Sequence, residues 1–496
     1  MSNMPTVKLG IVAVSRDCFP ITLSQRRRAE VVRCFQQAGG QIFEAQTIIE
    51  NENDAVKALA EVREAGVNAL VVYLGNFGPE GPETLLAQQF LPLPVMFVAA
   101  AEEDTGVLTS DRGDAYCGML NASYCIGLRG IKVYIPEYPV GTPAEVSAMM
   151  AEFIPVARAL IAVRKLKIFS FGPRPYDFLA CNAPIAQLYK MGVSIQENSE
   201  LDLLGAYQQH AGDSRIDSVV KEMAAELGAG NKMAAVLPRL AQYELTLLDW
   251  AEQNRGAAEY IAFANKCWPS FESFFGFVPC YVNSRLTARG IPVSCEVDIY
   301  GALSEFIGTC VTESSVTLLD INNTVPADMY AAHIKDQFNY GPKEVFMGFH
   351  CGNTPIDRLV KGEMKYQLIM KRSLEPDTEP DITRGTLEGA IKPGEITFFR
   401  LQSNADAQLR SYVAEGEVLP VEPKSFGGIG VFAIPEMNRF YRHVLIADRY
   451  PHHGAVAFGH VGRALFTIMK LLGAETVSFN QPKEMLYRDE NPFMRG

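Results

Sequence analysis

Three of the seven histidines in this 496-residue chain, His452, His453 and His460, fall within RYPHHGAVAFGHVGRAL, positions 449–465. Their neighbours are mostly glycine, alanine and valine rather than charged residues. That setting describes a packed, shaped pocket, where an imidazole binds a metal ion or moves a proton. A Gly-rich turn whose partly buried histidines merely find hydrogen-bond partners has the same composition, so the segment alone serves either reading.

Two carboxylates add to it. Glu296 lies in SCEVDIYGAL and Asp320 in TLLDINN, both among apolar residues. An uncompensated carboxylate is costly there, so each is expected to pair with a cation, bind a metal or stay protonated. Plainer roles exist. Glu296, with Asp298 nearby, suits the N-terminus of a helix, and Asp320 suits an Asx turn at a strand end. His350, in MGFHCGN, is a further candidate, read as a proton relay or a satisfied core histidine ahead of a direct ligand. His210, His333 and His443 read as structural or surface residues.

These groups need elements to hold them. Residues 1–165 alternate strands and helices: VKLGIVAVS (7–15) reads as a buried strand, LSQRRRAEVVRCFQQAG (23–39) as an amphipathic helix, and QIFEAQTII, NALVVYLG and PVMFVAAA as further strands. This is the βαβ pattern of a doubly wound parallel sheet, whose ligands gather beyond the carboxyl ends of the strands. Arg16 and Asn76 sit in two such strand-end loops. A second α/β unit is expected over 166–340, carrying Glu296 and Asp320, with Arg174 after its first strand. Beyond about 340, short β-like segments broken by Gly and Pro predict a β-rich, barrel-like domain over 341–496 that carries His453. The expected fold class is therefore α/β, with two Rossmann-like parallel-sheet domains followed by a β-rich C-terminal domain.

The bulk properties exclude some partners. A net charge of −12 argues against nucleic acid or an anionic membrane surface. The ten cysteines are scattered with no C-x-x-C pair, which disfavours a zinc ribbon and fits reduced thiols in a cytosol. The N-terminus lacks the longer apolar stretch and cleavage site of a signal peptide. No uninterrupted apolar run approaches the ~20 residues that cross a bilayer. A cytoplasmic location is expected.

SRDCFP, SCEVDIYGAL, LLDINN, GFHCGN, GTLEGAIKPGEITFFRL and PHHGAVAFGHVG, in this order, resemble the L-fucose isomerase / L-arabinose isomerase superfamily, and more closely its fucose-isomerase-like members. The resemblance runs from the N-terminal motif to the C-terminal histidines. It implies a metal-dependent aldose–ketose isomerase acting on a free sugar through an enediol. It also implies a divalent ion, Mn²⁺ in the family with other divalent ions as alternatives, held by Glu296, Asp320 and His453. One imidazole and two carboxylates with open positions suit such a hard, octahedral ion. By the same resemblance Glu296 and Asp320 are the catalytic acid/base pair, while His350 or His452 assists proton transfer. Asn353 and Asn322 orient the sugar. A homo-oligomer, trimer or hexamer, is implied, with the active site near a subunit interface and Arg16 acting on a neighbour.

Departures bear on the substrate. The chain is shorter than typical fucose isomerases, and no tryptophan stands in the Leu74–Gly78 loop where they carry one. With only Trp250 and Trp268 present, the sugar-stacking surface must differ. Isomerases of 6-sulfonated hexoses are known among relatives of the family. Arg16 and Arg174 suit an anionic tail, so sulfoquinovose stands beside fucose- or arabinose-type sugars as a substrate. The Arg26-Arg27-Arg28 run reads as a solvated helix face. An epimerase or an aldol-type lyase acting on a sugar would use the same residues. Two α/β lobes also describe a non-catalytic sugar-binding protein, which the ten cysteines and the histidine-bearing third domain disfavour.

Overall fold

The computed structural model describes residues 3–106, 108–491 and 493. Contacts divide the chain into two compact units, Pro5–Ile161 and a larger one formed by Met1–Met4 with Ala162–Gly496.

The smaller unit contains β1 Leu9–Val14, β2 Ile42–Glu44, β3 Ala69–Leu74, β4 Val95–Ala100 and β5 Val140–Gly141. They form one parallel sheet in the order β2-β1-β3-β4-β5. β1, β3 and β4 are unbroken runs of buried residues, as strands covered on both faces require. The intervening helices are α1 Ile21–Gln37, α2 Glu52–Glu64, α3 Glu80–Phe90, α4 Ala115–Leu128 and α5 Pro143–Val163. α5 is long and apolar enough to cross a membrane by length and composition, yet much of it is core, including Met150, Phe153 and Val156.

α1 corrects one expectation. The arginine run is not a solvated face, because Arg27 and Arg28 are buried. They share the packing face of α1 with Leu23, Ser24, Val31 and Val32, and burial obliges their charge to be paired. Arg27 donates to Glu102 at 2.9 Å and to the Gly75 carbonyl at 2.9 Å, and Arg28 donates to Glu44 at 2.8 Å.

The larger unit opens with a parallel sheet of β6 Leu166–Gly172, β7 Ser194–Ser199, β8 Tyr260–Ala264 and β9 Val293–Ser294, in the order β7-β6-β8-β9. A nine-stranded mixed sheet follows. Its strands are β10 Thr317–Thr324, β11 Val345–His350, β12 Glu363–Tyr366, β13 Arg384–Ala390, β14 Gly394–Ser403, β15 Leu409–Leu419, β16 Gly428–Ala433, β17 His453–Phe458 and β18 Thr476–Phe479. The order is β12-β13-β16-β11-β10-β17-β14-β15-β18, and a further β15–β16 pairing closes six of the strands on themselves. The β-rich, barrel-like segment is thus present.

One placement differs from expectation. β10, which carries Asp320, is not part of the parallel sheet of residues 166–294. It pairs antiparallel with β11 and β17, so a boundary at 340 falls between two strands of one sheet. The physical reason is a shared core. The helix Ile299–Thr312, buried over nearly its whole length, contacts β8 and β9 on one side and β14 and β17 on the other. Phe169 and Phe263 of the parallel sheet belong to the same apolar cluster as Phe398 and Phe432 of the mixed sheet.

Candidate metal and sugar site

The site assembles from strand ends of both sheets in the larger unit. In the β10–β17 register Asp320 stands opposite His453, and Ile321 N–H donates to the His452 carbonyl at 2.9 Å. Directly opposed residues share a face of the sheet, so Asp320 and His453 are delivered together. β11 adds its last residue, His350, from the other flank of β10. Glu296 arrives differently, two residues beyond β9, where Glu296 and Val297 both take the left-handed backbone conformation with φ near +59°. That conformation is strained for a β-branched valine. It is held by Val297 N–H donating to the Asn265 carbonyl at 2.9 Å.

His453 Nε2 lies 3.2 Å from Glu296 Oε2 and 3.4 Å from Asp320 Oδ1, and His452 Nε2 lies 3.7 Å from the same Asp320 oxygen. None of Glu296 Oε2, Asp320 Oδ1 and His453 Nε2 has an aligned hydrogen-bond partner, although all three are buried. Orphaned buried donors and acceptors are rare and mark a missing partner. Two carboxylate oxygens, each within 3.4 Å of the same imidazole nitrogen and none with an aligned partner, are donor types that suit a hard divalent cation, with Glu296 and Asp320 in separate groups of mutually close ligand atoms. Potential ligand atoms of Asp320, His452 and His453 lie within 4.8 Å of one another, as do those of Cys181, Glu296 and His453.

Behind His453 stands a support the sequence reading missed. Its Nδ1 is 2.9 Å from Asp298 Oδ2. Asp298 in turn takes a two-pronged contact from Arg400, Nη1 to Oδ2 at 2.8 Å and Nη2 to Oδ1 at 2.9 Å. It also accepts from Gly301 N–H at 2.8 Å, capping the helix Ile299–Thr312. An acceptor at Nδ1 holds a proton there and turns Nε2 towards Glu296 and Asp320. His350 is fixed the opposite way. Cys351 N–H donates to its Nδ1 at 2.9 Å, leaving Nε2 as the protonated nitrogen of the neutral ring.

The electrostatics follow from this packing. Burial pushes Asp320 up to about 7, with neighbouring Glu296 adding to the rise and His453 opposing it. Burial also works to raise Glu296, but His453 3.2 Å away, with His350 and His452 beyond it, outweighs burial and holds the carboxyl below its ordinary range. His453 is raised well above its ordinary value, because Asp298, Cys181 and Glu296 overcome burial. Burial and the neighbouring His453 push His350 and His452 down to about 4, so both rings are neutral.

Aromatic rings border the histidines. Phe178 stands edge-on to His452 at 5.4 Å and to Trp268 at 5.9 Å, and Tyr176 packs against Trp268 at 6.0 Å. Trp268 Nε1–H points to Glu296 Oε1 at 3.5 Å. The scarcity of tryptophan in this chain was the one available signal for Trp268. Arg174 follows β6 and donates to Asn182 Oδ1 at 3.0 Å, while its Nε is buried without a partner. It borders a cavity of about 590 Å³ together with Cys181, Glu197, Asn198 and Tyr300.

The remaining expected residues differ in their settings. Asn353 is buried with both amide atoms unpartnered, whereas Asn322 is exposed. Arg16 and Asn76 belong to the smaller unit. There the Asn76 side chain accepts from Arg16 N–H at 3.1 Å and donates to Ser15 Oγ at 2.8 Å. The Arg16 guanidinium pairs with Glu80 and lies 4.6 Å over the Phe77 ring. His210 and His443 pair with Asp249 and Asp489, each at 3.0 Å, as structural residues.

Residues 10–164 match the fucose/sulfoquinovose isomerase N-terminal domain, and residues 348–480 match the L-fucose isomerase C-terminal domain. The sulfoquinovose isomerase of Alkalicoccus urumqiensis is 27% identical over 251 residues, 50% of this chain and 50% of that protein. The sulfoquinovose isomerase of Priestia aryabhattai is 26% identical over 331 residues, 65% of this chain and 66% of the relative. That of Clostridium sp. (strain MSTE9) is 24% identical over 352 residues, 68% of this chain and 70% of the relative. The match thus spans half the length of the first of these relatives and about two thirds of the others.

Proposed function

Since the chain belongs to the fucose isomerase-like family, we propose that it is a cytoplasmic, metal-dependent aldose–ketose isomerase acting on a free sugar. The observation that carries this reading is the convergence of three buried, unpartnered atoms, Glu296 Oε2, Asp320 Oδ1 and His453 Nε2. These residues would hold the ion, Mn²⁺ or another divalent metal, which when bound supplies Lewis-acid stabilisation of charge on the sugar's C1 and C2 oxygens. Isomerisation moves a proton from C2 to C1 through an enediol. Glu296 and Asp320 are the acid/base pair for that transfer. Neutral His350, with its proton on Nε2, and neutral His452 assist proton exchange between the two oxygens. Phe178 and Trp268 form the apolar wall against which the sugar lies, and Asn353 offers two unused polar atoms for its hydroxyls.

The substrate we favour is a 6-sulfonated hexose such as sulfoquinovose, ahead of neutral fucose- or arabinose-type sugars. Supporting this, Arg174 keeps a buried Nε–H without a partner near the site, and the relatives named above are sulfoquinovose isomerases. Arg16 and Asn76 would complete the substrate pocket of a neighbouring copy in a homo-oligomer.

Product analysis tests the reading. Protein loaded with Mn²⁺ is incubated with sulfoquinovose, L-fucose or L-arabinose, and the products are followed by NMR. Ketose from the sulfonated sugar is expected. A C2-epimeric aldose or three-carbon fragments in its place would overturn the isomerase assignment in favour of an epimerase or a lyase.

A further inference from the structure

β9 is only two residues long, Val293–Ser294, so its ladder with β8 grips little of the segment that carries Glu296. The grip comes from Asn265, the residue after β8. Its N–H donates to the Ser294 carbonyl at 3.0 Å, as a continued parallel ladder requires, but its carbonyl accepts from Val297 N–H at 2.9 Å. An unbroken parallel ladder would tie the N–H of residue 296 to that carbonyl. One extra residue therefore stands between the two bonds, and Glu296 is thrown out of line as in a β-bulge, a device that re-aims side chains beside active sites. The left-handed φ of Glu296 and Val297 belongs to the same excursion. Trp268, three residues further along the Asn265 loop, adds a second hold, its Nε1–H pointing to Glu296 Oε1 at 3.5 Å.

Asn265 is itself fixed from behind. Its side chain faces Asn283 on the helix Cys280–Ala288, and the two amides bond reciprocally. Asn265 Nδ2 donates to Asn283 Oδ1, and Asn283 Nδ2 donates to Asn265 Oδ1, each at 2.9 Å. Asn265 Nδ2 also donates to the hydroxyl of Tyr243, on the helix Leu237–Asn254, at 3.0 Å. All three residues are buried. Mutual satisfaction would be reason enough for two buried amides, and an apolar pair would fill such a space without needing partners. The reciprocal pair does something an apolar pair would not. It fixes the orientation of Asn265, and with it the carbonyl to which Val297 is tied.

We propose that Asn265 is the positioning residue for Glu296, held by Asn283 and Tyr243, so that an amide network behind β8 sets where the carboxylate stands. The inference rests on the metal-site reading above. Its test is a set of double-mutant cycles on the full chain. Mn²⁺ is titrated by electron paramagnetic resonance into the wild type, Asn283→Ala, Tyr243→Phe, Glu296→Gln and the two combinations with Glu296→Gln, with circular dichroism to confirm folding. Asn283→Ala strands the Asn265 amide and should weaken Mn²⁺ binding about tenfold. Tyr243→Phe keeps the ring and removes one acceptor. It should weaken binding about threefold, and it carries the test if Asn283→Ala does not fold. On the Glu296→Gln background neither change should weaken binding by more than about twofold further, because both act through the residue already altered. In the wild-type background Asn283→Ala should also lower kcat at least about tenfold with KM within about threefold. Equal losses on both backgrounds would mean a role in stability alone and would overturn the proposal. Wild-type affinity in both single variants would overturn it as well. A wild type that binds no Mn²⁺ would overturn the metal-site reading and this proposal with it.

Discussion

Asp320 on β10 stands directly opposite His453 on β17, so one strand pair delivers an acid and an imidazole to the same face. Glu296 meets them from the left-handed turn beyond β9, 3.2 Å from His453 Nε2. A turn that strained persists only when its surroundings over-determine it, and here it aims a carboxylate that no helix or strand position would supply. Glu296→Gln and Asp320→Asn keep the shape and remove the charge. Each should lower turnover by at least about 100-fold with unchanged circular dichroism. Near wild-type turnover in either variant would contradict its place in the proton transfer.

Asp298 and Arg400 predict a graded effect on the metal. Asp298 orients His453 through Nδ1 and is itself clamped by Arg400. Loss of such an outer partner typically weakens metal binding by about 10–100-fold. Titration with Mn²⁺ followed by electron paramagnetic resonance should show that loss in Asp298→Asn. His453→Ala should bind still more weakly. An Asp298→Asn protein with wild-type affinity would mean that His453 needs no orienting group.

The aromatic wall makes a prediction of a different kind. Phe178 touches the rings of His452 and Trp268 but offers no group that could move a proton. Its removal should therefore cost binding that is equal in ground and transition states. Phe178→Ala should raise KM about tenfold and leave kcat within about threefold. A collapse of kcat at constant KM would place Phe178 in control of the site's geometry instead.

Glu83 on α3 ties stability to pH. Both carboxyl oxygens are buried without partners. Burial, with a further push from Glu80 and against the pull of Arg16, raises the group to about 8. The unfolded chain ionises it near 4.3. Below that pH both states hold the proton. Between about 4.3 and 8 only the folded state does, so ionisation favours unfolding by about 1.4 kcal/mol for each pH unit. Glu83→Gln removes this penalty. Its melting temperature relative to the wild type should climb steadily from pH 5 to pH 8. Parallel curves for the two proteins would show that Glu83 is already ionised in the folded state.

The site was legible where composition broke its own pattern. Histidines among glycines, and Glu296 and Asp320 among apolar residues, stood out because such groups need a reason to be there. Asp298 and Arg400 did not stand out, because their pairing joins positions 102 residues apart and each alone is an ordinary charge. The sheet to which β10 belongs was equally hidden. A buried apolar run reads the same whether its neighbours are parallel or antiparallel, and only the shared core around Ile299–Thr312 decides it. Arg27 and Arg28 misled for a related reason, since their acceptors lie outside their own helix, Glu44 on β2 and Glu102 in the loop after β4.

The most direct test of the central claim compares one preparation in two states. The protein is stripped of metal by chelation, and ketose formation from sulfoquinovose is measured before and after Mn²⁺ is returned. Negligible turnover when stripped, restored by Mn²⁺ in the wild type but not in Glu296→Gln, is the predicted result. Equal ketose formation with and without metal would contradict the account, because the unpartnered atoms of Glu296, Asp320 and His453 would then need another explanation.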